Sequence, residues 1–523
     1  MIKNGCFEAD LGVECGPIDI YCLSDTVAGE RYKAEKAQKY PNGNNVYIDM
    51  KKNIVLYSLI AGLGGIFSAC SDWVDIKTKG KLIPEETVNY RYLMNNTNNF
   101  RYTLSEQDFA SDDINISDET QQNAIYETDK FIPMYTWADE IYSQSERDPE
   151  MNAVYQVIYN CNVVIDEVMG SKNGTEAEKL AIRAEALVHR ADAYLSLVNL
   201  YGKPYNAATA SIDQGVPLLT TPRVEGSLPR ASVEKVYEQI LQDLNDAFEY
   251  LPDLPDYKFY PSKCAVYALK ARTYLLMANY TEAKSNAIEA LKLQNTLENL
   301  NDYVDDIVNN TKSYPENLKD KEVILAKMPR NKYQIASYNA VALVLSDDLL
   351  NLFDKEHDLR YLYFTRPMTD LDVAYSGRIY YKDYLYSNDY PKNEARNIGP
   401  CVPEMMLIEA ECLAREGETT GAMNIINSMR ESRFAPEDYY ELTASSAKDA
   451  LGIVLQERRK ELMCHGMRWM DQRRLVNDQD FPTQTVTRVF QGKTYTLEPG
   501  ALRYTLPIGE LYLEENPEIG QIK

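Results

Sequence analysis

Little in this chain could build a catalytic or metal centre. Among 523 residues there are three histidines and three tryptophans, and neither G-x-S-x-G nor H-E-x-x-H occurs, so the common ways of setting a nucleophile or a zinc ion beside a base are missing. The nine cysteines include no C-x-x-C pair. Beyond residue 70 only Cys161, Cys264, Cys401, Cys412 and Cys464 remain, an odd and irregularly spaced set that argues against a disulfide framework or a zinc site and for small core residues. Positive charge is scarce as well: 55 Lys and Arg stand against 79 Asp and Glu, a net charge of -24, which opposes any role that rests on neutralising phosphates. Long apolar runs are absent. The longest, Ile54 to Ala69, is broken by glycines and falls short of the roughly 20 residues a spanning helix needs.

What is present is an ordinary globular composition, 45% apolar and 26% charged, in a chain long enough for a large core. The anomaly is aromatic usage, 40 Tyr against 12 Phe. A tyrosine joins a flat apolar face to a hydroxyl and suits both half-buried helix faces and surfaces that recognise polar, ring-shaped ligands. Most should be packing residues; those clustered in loops carry the functional reading.

Met50-Lys51-Lys52 followed by an apolar stretch and Phe67-Ser68-Ala69-Cys70 has the layout of an export signal ending at a lipidation cysteine. Acyl chains on Cys70 would supply enough buried CH2 groups for stable membrane attachment. On this reading residues 1–49 are a mis-called upstream extension, 50–69 a lipoprotein signal peptide and 70–523 the mature protein.

Apolar residues recur at helical spacing over about 148–170 and 176–201, the second closing at Gly202 and Pro204. Ser232 followed by Val233-Glu234 marks another helix start. The strings Ala265–Leu275 with Tyr280–Ala287, and Met406–Gly417 with Ala422, Ile425 and Ile426, have the style of tetratricopeptide helix pairs, small alanines alternating with large apolar residues. The fold class expected is predominantly α, a helical scaffold mainly over 148–292 and 400–475, with ligand-binding insertions mainly over 90–140 and 295–400. The second insertion should be loops with a few short strands, rich in tyrosine, and function usually resides in such insertions.

Several strings taken together resemble the SusD/RagB family of outer-membrane lipoproteins: the lipidation box with Ser71-Asp72-Trp73, Arg190 to Tyr205, Gly215-Val216-Pro217-Leu218, Glu457-Arg458-Arg459-Lys460-Glu461-Leu462, Gly466 to Arg474, Leu506-Pro507-Ile508 and Asn516-Pro517. The resemblance spans nearly all of 70–523. It implies a SusD-like fold of four tetratricopeptide-like pairs with an irregular ligand-binding half, a lipid-anchored place on the outer membrane, and delivery of captured oligosaccharides to a SusC-like TonB-dependent transporter. It implies no enzymatic activity and no cofactor, and it keeps peptide or glycopeptide capture open as an alternative. A glycoside hydrolase is a third reading.

The charge-dense Glu457–Arg474 segment could look catalytic. Its spacing instead lets Glu457 and Glu461 pair with basic residues three or four positions away, with an arginine covering Trp469. Asp112-Asp113 is a poor hydrolytic pair, because adjacent residues rarely place two carboxyls about 5–10 Å apart across a substrate. Sugar binding needs flat rings flanked by polar groups, and two segments offer it. The expected platform residues are Tyr102, Trp137, Tyr375, Tyr380, Tyr381, Tyr384 and Tyr386, with Asp112, Arg378 and Asn393 as polar partners.

Overall fold

Several helix starts in this chain are written by capping side chains. In the computed structural model the described residues are 84–126, 132–222, 226–304, 314–315, 317–329, 343–371, 375–382 and 395–522; Cys70, Tyr384, Tyr386 and Asn393 lie outside them. The chain divides into two units, Met1–Lys81 and Leu82–Lys523, and all the described residues belong to the second.

The helices of eight residues or more are α1 (Thr87–Met94), α2 (Glu119–Tyr126), α3 (Pro149–Glu167), α4 (Glu176–Tyr201), α5 (Val233–Phe248), α6 (Lys263–Leu276), α7 (Tyr280–Leu293), α8 (Val402–Glu416), α9 (Thr419–Glu431), α10 (Ala447–Glu461) and α11 (Met467–Arg474). Asp148 accepts from the backbone of Glu150 and Met151 to start α3, with Pro149 as its first residue. Thr175 and Glu178 form a reciprocal capping box on α4. Ser232, Ser262 and Ser446 cap α5, α6 and α10 by accepting from the backbone N–H of Lys235, Ala265 and Asp449. At the other end of α8, Gly417 takes φ +87, a left-handed terminus that costs a glycine no Cβ clash.

Successive helices pack on one another through α3, α4 and α5, then α6, α7 and α8, and α8 carries both α9 and α10. Ala265, Ala268 and Ala271 on α6 and Ala283, Ala287 and Ala290 on α7 are all buried. Their small side chains let the helices approach closely enough for larger neighbours such as Leu269 and Ile408 to interdigitate. Each such buried Leu or Ile contributes roughly 1.5–3 kcal/mol over its exposed state.

Strands are short and come in pairs: β1 (Tyr102–Thr103), β2 (Gln214–Pro217), β3 (Arg230–Ser232), β4 (Met328–Pro329), β5 (Thr365–Pro367), β6 (Arg378–Tyr380), β7 (Val486–Phe490) and β8 (Lys493–Leu497). β1 runs parallel to β4, while β2–β3, β5–β6 and β7–β8 are antiparallel.

The charge-dense segment is structural, but its pairing differs from the helical-spacing expectation. Glu457 does bond Lys460 at 2.6 Å. Glu461, however, accepts from Arg360 at 2.9 Å and Arg433 at 2.7 Å, both from other elements. Trp469 is fully buried and packs on Tyr504, ring centroids 4.9 Å apart, rather than under an arginine. Glu411 of α8 receives both Nη1 and Nη2 of Arg474 at 2.6 and 2.7 Å, and Arg272 of α6 makes a bidentate bond to Glu404 of α8. Ion pairs buried this deeply add little net stability against apolar replacements, yet breaking one is costly, so they fix which helix meets which.

The insertions have an interior of their own. Phe109, Ile114, Ile116, Tyr135, Leu343, Val344, Leu345, Phe364, Ile379 and Tyr380 form a second apolar cluster, joined by Met463 and Cys464 from the turn between α10 and α11 and by Phe490 from β7. Tyr380, expected from sequence as a platform residue, is therefore a core residue.

Candidate functional site

The two insertions singled out by the sequence meet edge to edge, and the first of them is held in place by arginines. Arg488 sits at an inward position of β7 and is buried. Its Nη1 donates to the carbonyls of Phe109 and Tyr135 and its Nη2 to those of Ser111 and Ile114. The guanidinium also lies 4.2 Å from the Tyr135 ring centroid and 4.4 Å from that of Trp137, within cation–π range. No carboxylate among the described residues forms an ion pair with it, and burial brings its pKa down to about 10.

The carboxylates of the same loop are spoken for. Asp108 bonds Arg396 at 2.9 Å and the Gly466 amide at 2.7 Å. Asp113 bonds Arg459 at 2.6 Å. Asp112 takes Nε and Nη2 of Arg468 at 2.6 and 2.7 Å. Burial disfavours charge on Asp112, but the Arg468 guanidinium outweighs it and, helped by Arg459 and Arg488, holds the carboxyl at about 2. Asp112 thus ties the loop to α11 with both of its oxygens, which leaves it poorly suited to receive a sugar hydroxyl.

From the other insertion, Leu343–Leu345 lies between the loop and β6. Asn115 N donates to Val344 O at 2.9 Å and Ser346 N to Asp113 O at 2.7 Å. On its far side Leu345 N donates to Arg378 O at 2.8 Å and Tyr380 N to Leu343 O at 3.0 Å. Asp118 then closes the seam, its Oδ2 accepting from Ser376 N at 2.8 Å and Ser376 Oγ at 2.9 Å. Gly377 at φ +117 makes the turn into β6, where a Cβ would approach Val344 at 3.0 Å.

The candidates sort by exposure. Trp137 is 8% exposed, with its Nε1 donating to Ala110 O at 2.9 Å, and belongs to the scaffold core. Tyr380 is 3% exposed beneath Arg396. Arg378 is engaged by Thr365 Oγ1 and by the Tyr361 and Thr365 carbonyls, lies 4.0 Å over the Tyr361 ring, and has its pKa lowered by burial. A platform needs an accessible ring face, so these three frame the site instead of presenting it. Tyr375 and Tyr381 are half-buried, the latter with Arg366 4.4 Å from its ring centroid. Tyr102 is also half-buried but stands elsewhere, paired with Met328 across β1 and β4.

The seam therefore offers Tyr375 and Tyr381 as partly open rings, with Arg366, Asp118 and Ser376 as polar groups. Such a set can stack on a pyranose and bond its hydroxyls. Sequence reasoning missed Asp118, Ser376, Arg366 and the organising Arg488. For Arg488 a signal existed: in Val486-Thr-Arg-Val-Phe490 the arginine takes the inward place of an alternating strand. Asp118 and Ser376 are 258 residues apart and carried none. Among the described residues no group of three His, Cys, Asp or Glu is arranged to hold a metal, and no helix is long and apolar enough to cross a membrane.

Two family models match the chain, one described as starch-binding associating with outer membrane over residues 72–275 and one described as the SusD family over residues 402–521. SusD-like protein P38 of Formosa agariphila is 23% identical over 379 residues, covering 61% of this chain and 70% of its own length. SusD-like protein P2 of the same organism is 32% identical over 135 residues, 25% of each chain. Among solved structures, a SusD superfamily protein from Bacteroides thetaiotaomicron superposes with a TM-score of 0.67 at 20% identity, over 83% of this chain and 99% of that one. A structure described as a laminarin binding SusD-like protein gives 0.57 at 17% identity, over 84% and 99%. The fold is thus the predominantly α, SusD-like one.

Proposed function

We infer the function from a premise of membership: the chain belongs to the SusD/RagB family, and we propose that it captures oligosaccharides at the cell surface and hands them to a SusC-like TonB-dependent transporter. Acylation at Cys70 would tether it to the outer membrane. The observation that carries the reading is the seam where Asp118 meets Ser376, since it sets the half-open Tyr375 and Tyr381 beside polar partners on a rigid base. Tyr384, Tyr386 and Asn393 extend the same Tyr-rich stretch in sequence and belong to the proposal.

The protein acts without chemistry on this reading. Asp112 and Asp113 are each bound by an arginine, and a carboxyl held near 2 is a poor general acid at neutral pH. A relative described as laminarin binding supports a glycan over a peptide as cargo.

The test is calorimetric titration of the mature chain against plant, fungal and host oligosaccharides, with Tyr381→Ala beside the wild type. Stacking on an aromatic ring is worth about 1–1.5 kcal/mol, so the variant, while still folded by circular dichroism, should bind its best glycan about five- to tenfold more weakly. Binding of peptides but of no glycan would overturn the reading, as would release of shortened products after long incubation.

A further inference from the structure

We propose that the aromatic loop before α6, together with the exposed face of α1, forms a second carbohydrate surface for neutral, extended glycans. The inference rests on the glycan-capture reading above and assigns it a site that the seam does not include.

Tyr257, Phe259 and Tyr260 fall within four residues, and their rings contact one another: Phe259 and Tyr260 are 4.3 Å apart by centroid, and Tyr257 and Phe259 are 5.9 Å apart with planes only 20° from parallel. Tyr257 is 57% exposed, while the other two are half-buried. On α1, steps of 100° per residue place Arg91, Asn95 and Tyr92 within one arc of about 100°. Tyr92 is 66% exposed. Asn95 Oδ1 accepts from Tyr260 Oη at 2.8 Å, and Arg91 lies 5.7 Å from the Tyr260 ring centroid. Loop and helix thus make one continuous surface.

That surface is held still. Glu185 receives both Nη atoms of Arg91 at 2.7 and 2.9 Å. Tyr260 N bonds Tyr257 O at 2.9 Å inside the loop, and Ala326 N bonds Lys258 O at 2.7 Å from outside it. Two residues beyond Ala326, Met328 pairs with Tyr102, so the loop is tied to the β1–β4 pair. Rings fixed before binding lose little conformational entropy when a ligand arrives. Four large exposed or half-exposed aromatics, Tyr92, Tyr257, Phe259 and Tyr260, with a guanidinium, an amide and phenolic hydroxyls among them match the faces and edges of a pyranose. With its Oδ1 taken by Tyr260, Asn95 keeps its amide nitrogen as a donor to sugar hydroxyls. The net charge of -24 disfavours a polyuronate and favours a neutral polymer.

A second surface changes how binding depends on ligand length. A short oligosaccharide fills one site, whereas a polymer that engages both gains from effective concentration. The experiment is affinity electrophoresis of the mature chain in gels cast with amylopectin, laminarin, xyloglucan or yeast mannan, with matched tetrasaccharides titrated separately. Four forms are compared: wild type, Tyr92→Ala, Tyr257→Ala and the double variant, with Tyr381→Ala as the seam control. Because Tyr92 and Tyr257 are exposed, the two single variants and the double variant at these positions should unfold at the wild-type temperature. The double variant should lose about tenfold or more in polysaccharide retention, while its tetrasaccharide affinity stays within about twofold. Full retention by the double variant on a polymer that the wild type binds overturns this inference alone. No retention of the wild type on any polymer, and no heat with any tetrasaccharide, removes the glycan-capture reading and this inference with it. A double variant that keeps its retention but no longer co-purifies with its transporter would show the surface to be a protein interface and also overturns the proposal.

Discussion

Replacing Arg488 with methionine, which keeps the length of the side chain and removes the guanidinium, isolates what holds the first insertion in place. Four carbonyls, those of Phe109, Tyr135, Ser111 and Ile114, lose their donor. Hydrogen bonds to a charged partner are each worth roughly 1.5–3 kcal/mol. Two ring faces, Tyr135 and Trp137, lose a cation, about 1 kcal/mol apiece. Against this stands relief of the burial that lowers the arginine's pKa from 12.5 to about 10, which corresponds to roughly 3.4 kcal/mol at 1.36 kcal/mol per unit. Taken at the lower end of these values the balance is a loss of about 5 kcal/mol, at the upper end of the range for breaking a buried charged network. Urea unfolding followed by circular dichroism measures the total. Amide hydrogen exchange locates it: Asn115 and Ile116, bonded to Val344 O and Tyr135 Oη, should lose protection well before the amides of α6. A loss below about 1 kcal/mol, or one spread evenly over the molecule, would refute the view that Arg488 organises this loop.

Two further outcomes follow from the buried charges. Glu411→Gln leaves Arg474 and Arg415 facing one neutral acceptor where they now share a carboxylate; it should cost about 3–5 kcal/mol in urea unfolding, and a change under about 1 kcal/mol would show that the pair matters little. Stability should also depend on pH through individual buried carboxyls. Asp112 and Glu457, buried but overridden by Arg468 and by Lys460 with Arg360 respectively, are held at about 2. Their contribution is complete above the unfolded value of about 4 and fades as pH falls toward 2. Asp320 is pushed the other way, to about 7, by burial and then by Glu322. Its contribution is complete below about 4 and is lost as pH rises through 7. Between about pH 4 and 7 the urea midpoint of Asp320→Asn should therefore fall less, or rise more, than that of the wild type, and parallel profiles would contradict the assignment of Asp320.

The sequence alone determined the scaffold helices α3 to α8, though not α1 and α2 of the first insertion. Thr175 and Glu178, Ser232, Gly202 and Gly417 each act on a backbone neighbour within four residues, so their meaning is legible in a short window. The alanine spacing of α6, α7 and α8 is local too, because one helical turn decides which residues share a face. The site was legible only as two Tyr-rich segments. Which of their rings stay open was decided in three dimensions: Tyr380 went under Arg396 and Trp137 against Arg488, partners remote in the chain, while Tyr375 and Tyr381 remained half-open. The same holds for charge. Glu461 lies within helical reach of Arg458 yet pairs with Arg360, 101 residues away, because a buried carboxylate is governed by whichever guanidinium the packing desolvates beside it. Local hydrogen bonds fix a helix within its own sequence; exposure and ion pairing depend on every element that closes over a side chain, and only the assembled fold supplies them.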